Sequence, residues 1–230
     1  MVALGELADG AGVRLQAYRL VNSKYPPIAL FDDVADADEF ELLYQIQELT
    51  NPRLKNEVGQ LELIARREIP FGITGCSYAI APFTHVNPDG SRFSDGSFGV
   101  LYVADTLETA LAEVRHHQAA YWSKVPSLNY ERFVFRGLSC TFVDAAMKDA
   151  TRVPITDPVY DPDDYSHSRR LGKSLKEARI PGIRYHSVRL PGGQCWALMT
   201  PKPVVSVIQT AHYEMIWNGQ VTSVSRVSEA

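Results

Sequence analysis

Arg92, Tyr102 and Glu113 are the residues of this chain whose types and spacing could do chemistry. The segment that carries them, SRFSDGSFGVLYVADTLETALAEV from Ser91 to Val114, reads as loop, strand, tight turn and helix. A guanidinium in a loop rich in Gly, Ser and Asp can hold an anion together with free backbone N–H groups. A tyrosine near a strand end can stack on a ring or hydrogen-bond a hydroxyl. A helix carboxylate that looks into a cleft can stabilise developing positive charge. Taken singly, each has a plainer reading: a surface loop cation, a core tyrosine with its hydroxyl satisfied locally, and a solvated helix position.

The elements that must position these residues follow from pattern. Phe98 to Ala104 (FGVLYVA) is a short apolar run bounded by turn residues, which predicts a strand buried on both faces with Tyr102 near its C-terminal end. Asp105-Thr106-Leu107-Glu108 predicts a helix start, with Asp105 as cap and Glu108 reaching back as in a capping box. Leu107, Ala110, Leu111 and Val114 recur at helical spacing, so one face packs inward. Glu113 falls on the flank of that stripe, beside the small Ala110, where it can border the sheet.

The run R-F-S-D-G-S-F-G-V-L-Y-V-A-D-T-L-E-T-A-L-A-E resembles the core motif of the RES domain family. On that resemblance Arg92 matches the family arginine, Tyr102 the strand tyrosine and Glu113 the helix glutamate. G-I-R-Y-H-S-V-R, from Gly182 to Arg189, is similar to a second family block and makes Ser187 the candidate serine; Tyr18-Arg19-Leu20 is similar to an opening strand. The resemblance implies a toxin of a bacterial toxin–antitoxin pair, with a fold related to ADP-ribosyltransferase toxins, that degrades NAD by hydrolysis or phosphorolysis. Arg92, Tyr102 and Glu113 would then be catalytic, and Arg19, Arg92 and Ser187 would bind substrate. NAD would be substrate rather than prosthetic group, with inorganic phosphate as co-substrate in a phosphorolytic enzyme. The implied partner is a small helix-turn-helix (Xre-type) antitoxin, with a toxin homodimer as one arrangement inside the complex. Two other readings stay open: a mono-ADP-ribosyltransferase acting on a protein, and a non-catalytic binding module.

The expected fold class is α/β in the mixed (α+β) sense: a single compact domain over residues 1–230, with a mixed β-sheet core flanked by helices. Residues 32–85 are expected to be a helical elaboration of that domain, and 222–230 a frayed tail. Val13 to Val21 predicts a first strand carrying Arg19 toward a cleft. Asp36 to Leu49 predicts an amphipathic helix with Phe40, Leu43, Ile46 and Leu49 inward, and 53–72 a further short helix. Residues 70–91 read as an irregular approach. Tyr121 to Tyr130 reads as a loop, and Arg132 to Phe135 and Thr141 to Val143 as two strands. Asp149 to Tyr165, dense in Asp and Pro, reads as a long surface loop whose aspartates do turn chemistry. Ser166 to Ala178 predicts a helix with Leu171, Leu175 and Ala178 inward and Arg169, Arg170, Lys173 and Lys176 outward. Ile183 to Val188 and Cys195 to Met199 predict strands around a Pro-Gly-Gly turn. Val204 to Gln209 predicts another, and Asn218-Gly219 a hairpin.

Composition narrows the classes. With 23 basic and 27 acidic residues among 230, the net charge of −4 argues against independent nucleic-acid binding. Cys76, Cys140 and Cys195 are odd in number and form no C-x-x-C pair, which suits buried thiols in a reducing cytoplasm. The expectation is accordingly a cytoplasmic protein without export signal or membrane span. Neither the histidines nor Asp157, Asp161, Asp163 and Asp164 show metal-ligand spacing, so no metal site is expected. Rossmann, P-loop and serine-hydrolase signatures do not occur.

Overall fold

The computed structural model describes residues 2–24, 36, 38–40 and 59–228. Among them nine strands form one sheet: β1 (Ala8–Asp9), β2 (Arg14–Asn22), β3 (Leu101–Ala104), β4 (Glu131–Val143), β5 (Lys148–Asp149), β6 (Gly182–His186), β7 (Gln194–Leu198), β8 (Val204–Trp217) and β9 (Val221–Ser228). Their spatial order is β1-β5-β6-β7-β3-β2-β4-β8-β9. Only β5 and β6 run parallel, so the sheet is mixed as expected. Among the described residues, helices α1 (Cys76–Thr84), α2 (Leu107–Trp122) and α3 (Ser166–Glu177) flank it.

The period of two along a strand divides the core between the two faces. On β7, Cys195 and Ala197 join a cluster with Ala110 of α2 and Leu171 and Leu175 of α3. The alternate residues Trp196 and Leu198 join a second cluster with Ile80 and Phe83 of α1. Strand β3 obeys the same rule, with Ala104 on the first side and Leu101 and Val103 on the second. That split explains why its sequence is apolar throughout. Between β2 and β3, however, the ladder is a single pair, Tyr18 opposite Ala104. The sheet is splayed there.

Several elements differ from their sequence pattern, each for a physical reason. The two strands expected at 132–135 and 141–143 are one strand, β4, because Gly137 sits at a register shift where a Cβ would meet Thr210 Oγ1 at 2.6 Å. Residues 204–217 likewise form one long partner strand, β8. Of the expected frayed tail, residues 222–228 are strand: Val221–Ser228 pairs along β8 through the Asn218-Gly219 turn, where Gly219 has φ +70, and 229–230 lie outside the described residues. Its Ser- and Thr-rich composition hid an edge strand. The approach at 70–91 contains helix α1, whose burial on several sides leaves no amphipathic stripe, and whose Pro82 reads as a breaker. Residues 53–72 supply only two single 3-10 turns among the described residues, Leu61–Leu63 and Arg66–Glu68. Of the helix expected at 36–49, Asp38 to Phe40 are helical and Phe40 is buried; Leu43, Ile46 and Leu49 lie outside the described residues. The cap of α2 is Thr106, not Asp105: the Thr106 hydroxyl accepts from the Thr109 amide at 3.1 Å, and Asp105 instead accepts from the Thr106 amide.

Helix α3 is seated on the loop that precedes β3. A Cβ at Gly172 would fall 1.8 Å from the carbonyl oxygen of Phe93, so only glycine lets helix and loop touch backbone to backbone. Replacing Gly172 with Ala is expected to lower unfolding stability by about 1–3 kcal/mol or more through overpacking. Denaturant titration checks this; an unchanged midpoint would show that the loop yields freely.

Candidate active site

Arg92 is not the solvated loop cation that its neighbours in sequence suggest. It is 7% exposed, and its Nη1 donates to the carbonyls of Val159 at 3.2 Å and Asp161 at 3.0 Å. Its guanidinium lies over the ring of Tyr165, 4.5 Å from the centroid. The loop that carries it is tied to the sheet by Tyr102. The Tyr102 hydroxyl accepts from the Phe93 amide at 2.9 Å and pairs with Ser91 Oγ at 2.8 Å. Burial pushes the Tyr102 phenol up to about 12, so it stays a neutral hydroxyl.

Glu113 looks into the same cleft from α2, with its side chain 20% exposed. Its Oε1 accepts from Ser187 Oγ at 2.6 Å. Ser187 is itself held: its hydroxyl accepts from the amides of Arg189 at 3.1 Å and Leu190 at 3.0 Å. The serine stands just beyond β6 rather than on it, buried, and it meets the carboxylate instead of lining the cleft. Cys195 Sγ lies 3.9 Å from the same oxygen. Burial, reinforced by the Glu113 charge, drives that thiol upward, which keeps it from acting as a nucleophile.

Arg19, expected to point into the cleft, is on the opposite sheet face, which it shares with Ala17 and Val21, and it reaches the cleft wall only at the β2–β3 seam, where its Nη1 donates to the Tyr102 carbonyl at 3.0 Å. Burial lowers its pKa without removing the charge. The sequence thus placed Arg19, Arg92, Tyr102, Glu113 and Ser187 within one neighbourhood, although Ser187 acts on Glu113 and Arg19 on the backbone of β3.

Residues the pattern did not single out complete the site. Tyr165 presents its ring to Arg92 and, at 6.0 Å, to Arg169, while its hydroxyl accepts from Arg189 Nη2 at 3.2 Å. Arg169, expected to point outward, turns back and donates to the carbonyls of Ser91 at 3.0 Å and Asp89 at 2.8 Å. Lys176 also departs from its outward prediction and donates to the Met199 carbonyl at 2.9 Å, whereas Ala178 is exposed. Among the described residues, no carboxylate reaches ion-pair distance of Arg92, Arg169 or Arg189. Three guanidinium groups around one tyrosine, hydrogen-bonded to neutral oxygens and with Arg189 Nε left without a partner among the described residues, leave a positive field for an anion. No spacing rule links positions 92, 169 and 189, so only the fold could join them.

Arg92, Tyr102, Glu113 and Tyr165, but neither Arg169 nor Arg189, line a cleft of about 810 Å³ that continues past Ala110 and Val114 toward Trp122 and Phe133. That size lies within the roughly 300–1,000 Å³ usual for small-molecule sites. In the 149–165 loop, Asp157 accepts from the Val159 amide and Asp161 from the amides of Asp163 and Asp164, which is the expected turn chemistry. Val159 and Tyr160 of that loop are buried. Among the described residues, no group of three or more His, Cys, Asp or Glu is arranged to hold a metal ion, and no helix is long and apolar enough to cross a membrane.

Tyr102→Phe removes the acceptor of a buried amide and is expected to cost about 1–3 kcal/mol of stability. Unfolding in denaturant measures the loss, and wild-type stability in that variant would refute the tether.

The chain is similar to known proteins at the level of sequence. The family model described as RES domain matches residues 69–218, more than half of the chain. The uncharacterized protein y4oC of Sinorhizobium fredii (strain NBRC 101917 / NGR234) is 32% identical over 213 residues, covering 92% of this chain and 86% of that protein. Among solved structures, the M. tuberculosis MbcT–MbcA toxin–antitoxin complex contains a chain similar at TM-score 0.39 and 16% identity, over 53% of this chain and 72% of that one. With the motif arginine, tyrosine and glutamate meeting in one cleft and the family model spanning all three, the chain belongs to the RES domain family.

Proposed function

We propose that this protein is the toxin of a toxin–antitoxin pair and that its cleft cleaves the nicotinamide N-glycosidic bond of NAD. The observation that carries the reading is the convergence of Arg92, Tyr102 and Glu113, from three successive elements, on a cleft of about 810 Å³ in a RES domain chain. Kinship with ADP-ribosyltransferase toxins and an Xre-type helix-turn-helix antitoxin belong to the same reading, as expectations of family membership.

Breaking the C1″–N bond builds positive charge on the nicotinamide ribose while neutral nicotinamide departs. Glu113, its Oε1 fixed by Ser187, presents a pre-oriented carboxylate to that charge. Arg92 and its neighbours Arg169 and Arg189 supply the field that holds the pyrophosphate, or inorganic phosphate in a phosphorolytic reaction. Tyr102 contributes by keeping the arginine loop in register. Tyr165, with one face already against Arg92, is a ring on which a base or nicotinamide can stack. The acceptor is water, phosphate or a protein side chain. Product analysis separates these: free ADP-ribose, its 1″-phosphate, or labelled protein.

The test is NAD loss over time with purified protein, with and without phosphate. Arg92→Ala and Glu113→Gln are each expected to slow turnover by at least about 100-fold, the scale of one lost electrostatic contact. Glu113→Gln turning over NAD at the wild-type rate would sink the central role assignment.

A further inference from the structure

His117 stands one helical turn beyond Glu113 on α2 and lines the same cleft, yet no role in the reaction above uses it. Its Nε2 lies 3.8 Å from Glu113 Oε2, the oxygen that Ser187 leaves free, and its side chain is 52% exposed. An oxygen placed to one side of that gap, about 2.8 Å from each atom, can donate one hydrogen to the carboxylate and another to the imidazole. Capture of a ribosyl cation by an O–H acceptor releases a proton, and that proton needs a base. Glu113 is ill suited to take it, because protonation would erase the negative charge opposite the cation. Cys195 is held as a thiol, and Tyr102 and Tyr185 are held as neutral phenols.

We propose that His117 is the general base that accepts the proton of an attacking water; inorganic phosphate, which attacks through an oxygen already unprotonated, would not need it. This rests on the NAD-cleaving reading above. In the step, a lone pair on the acceptor oxygen forms the bond to C1″ as the C1″–N bond breaks and its electron pair neutralises the nicotinamide ring. The acceptor proton passes to the unprotonated ring nitrogen of His117, and the imidazolium returns it to solvent through its exposed edge. Partial desolvation of the ring against the cleft, followed by His116, Arg189 and Arg92, lowers its pKa and favours the neutral imidazole. The charged and titratable groups that act on it are Glu113 and His116 on its own helix and Arg189 and Arg92 from other elements; Arg19, Lys24 and Glu131 line the same cleft. A base must be unprotonated, so activity is expected to fall as pH drops through a value below the ordinary imidazole range.

The test compares wild-type protein with His117→Ala and His117→Gln, reading kcat, KM and the pH profile of NAD turnover, with and without added imidazole. Expected are a kcat lowered on the order of 100-fold in both variants, KM within about twofold of wild type, loss of the acidic limb due to His117, and recovery of the Ala variant by imidazole. Wild-type kcat in both variants, or a loss seen only in KM, overturns the proposal while leaving NAD cleavage standing. A wild-type protein that leaves NAD intact overturns the underlying reading instead, and this inference with it.

Discussion

The position of the site's central cation depends on one hydroxyl. Tyr102, anchored in β3, accepts the amide of Phe93 and pairs with Ser91, so the residues on both sides of Arg92 are fastened to the sheet. Helix α3 closes the other side, with Gly172 against the Phe93 carbonyl and Arg169 reaching the Ser91 carbonyl. The loop is therefore clamped between strand and helix. A guanidinium on a free loop would have to give up side-chain entropy on meeting a ligand, whereas this one is already ordered.

The opposite wall follows the same logic at the level of the carboxylate. Two backbone amides fix the Ser187 hydroxyl, and that hydroxyl fixes one oxygen of Glu113. The other oxygen is left toward the cleft and His117. Between the walls, the sheet contributes little pairing, because β2 and β3 share a single ladder position before they diverge. Missing ladder bonds at that seam are partly replaced by Arg19, which satisfies the Tyr102 carbonyl from β2. Weak pairing and the mouth of the cleft thus coincide.

Much of this was legible in the sequence wherever a local rule applied. The buried strand at Leu101–Ala104, the amphipathic helix from Leu107, the hairpin at Asn218-Gly219 and the neighbourhood of Arg92, Tyr102 and Glu113 all follow from short-range pattern or from the motif. What stayed hidden required long-range partners. Helix α1 is packed on several sides and so lacks a stripe, and β9 is recognisable only by its ladder to β8. Arg169 looks like a solvated helix charge until the carbonyls of Asp89 and Ser91 are brought beside it. Tyr165 sits in a loop of turn residues, and nothing local marks it as the ring on which Arg92 rests.

The arginines around Tyr165 carry a consequence for how this site tolerates sequence drift. Arg92 donates to the carbonyls of Val159 and Asp161, Arg169 to those of Ser91 and Asp89, and Arg189 to that of Pro162. A carbonyl belongs to every amino acid, so side-chain changes leave the anchoring oxygens themselves, although Ser91 and Asp161 also hold the path of the chain through their side chains. Only a change in the path of the chain, by an insertion, a deletion or a shifted turn, would remove them. The cationic side of the cleft is thus buffered against substitution where only the carbonyl is used, as at Asp89, and sensitive to the length of its supporting loops. The carboxylate side is the reverse, because Ser187 holds Glu113 through a side-chain hydroxyl that few residues can replace.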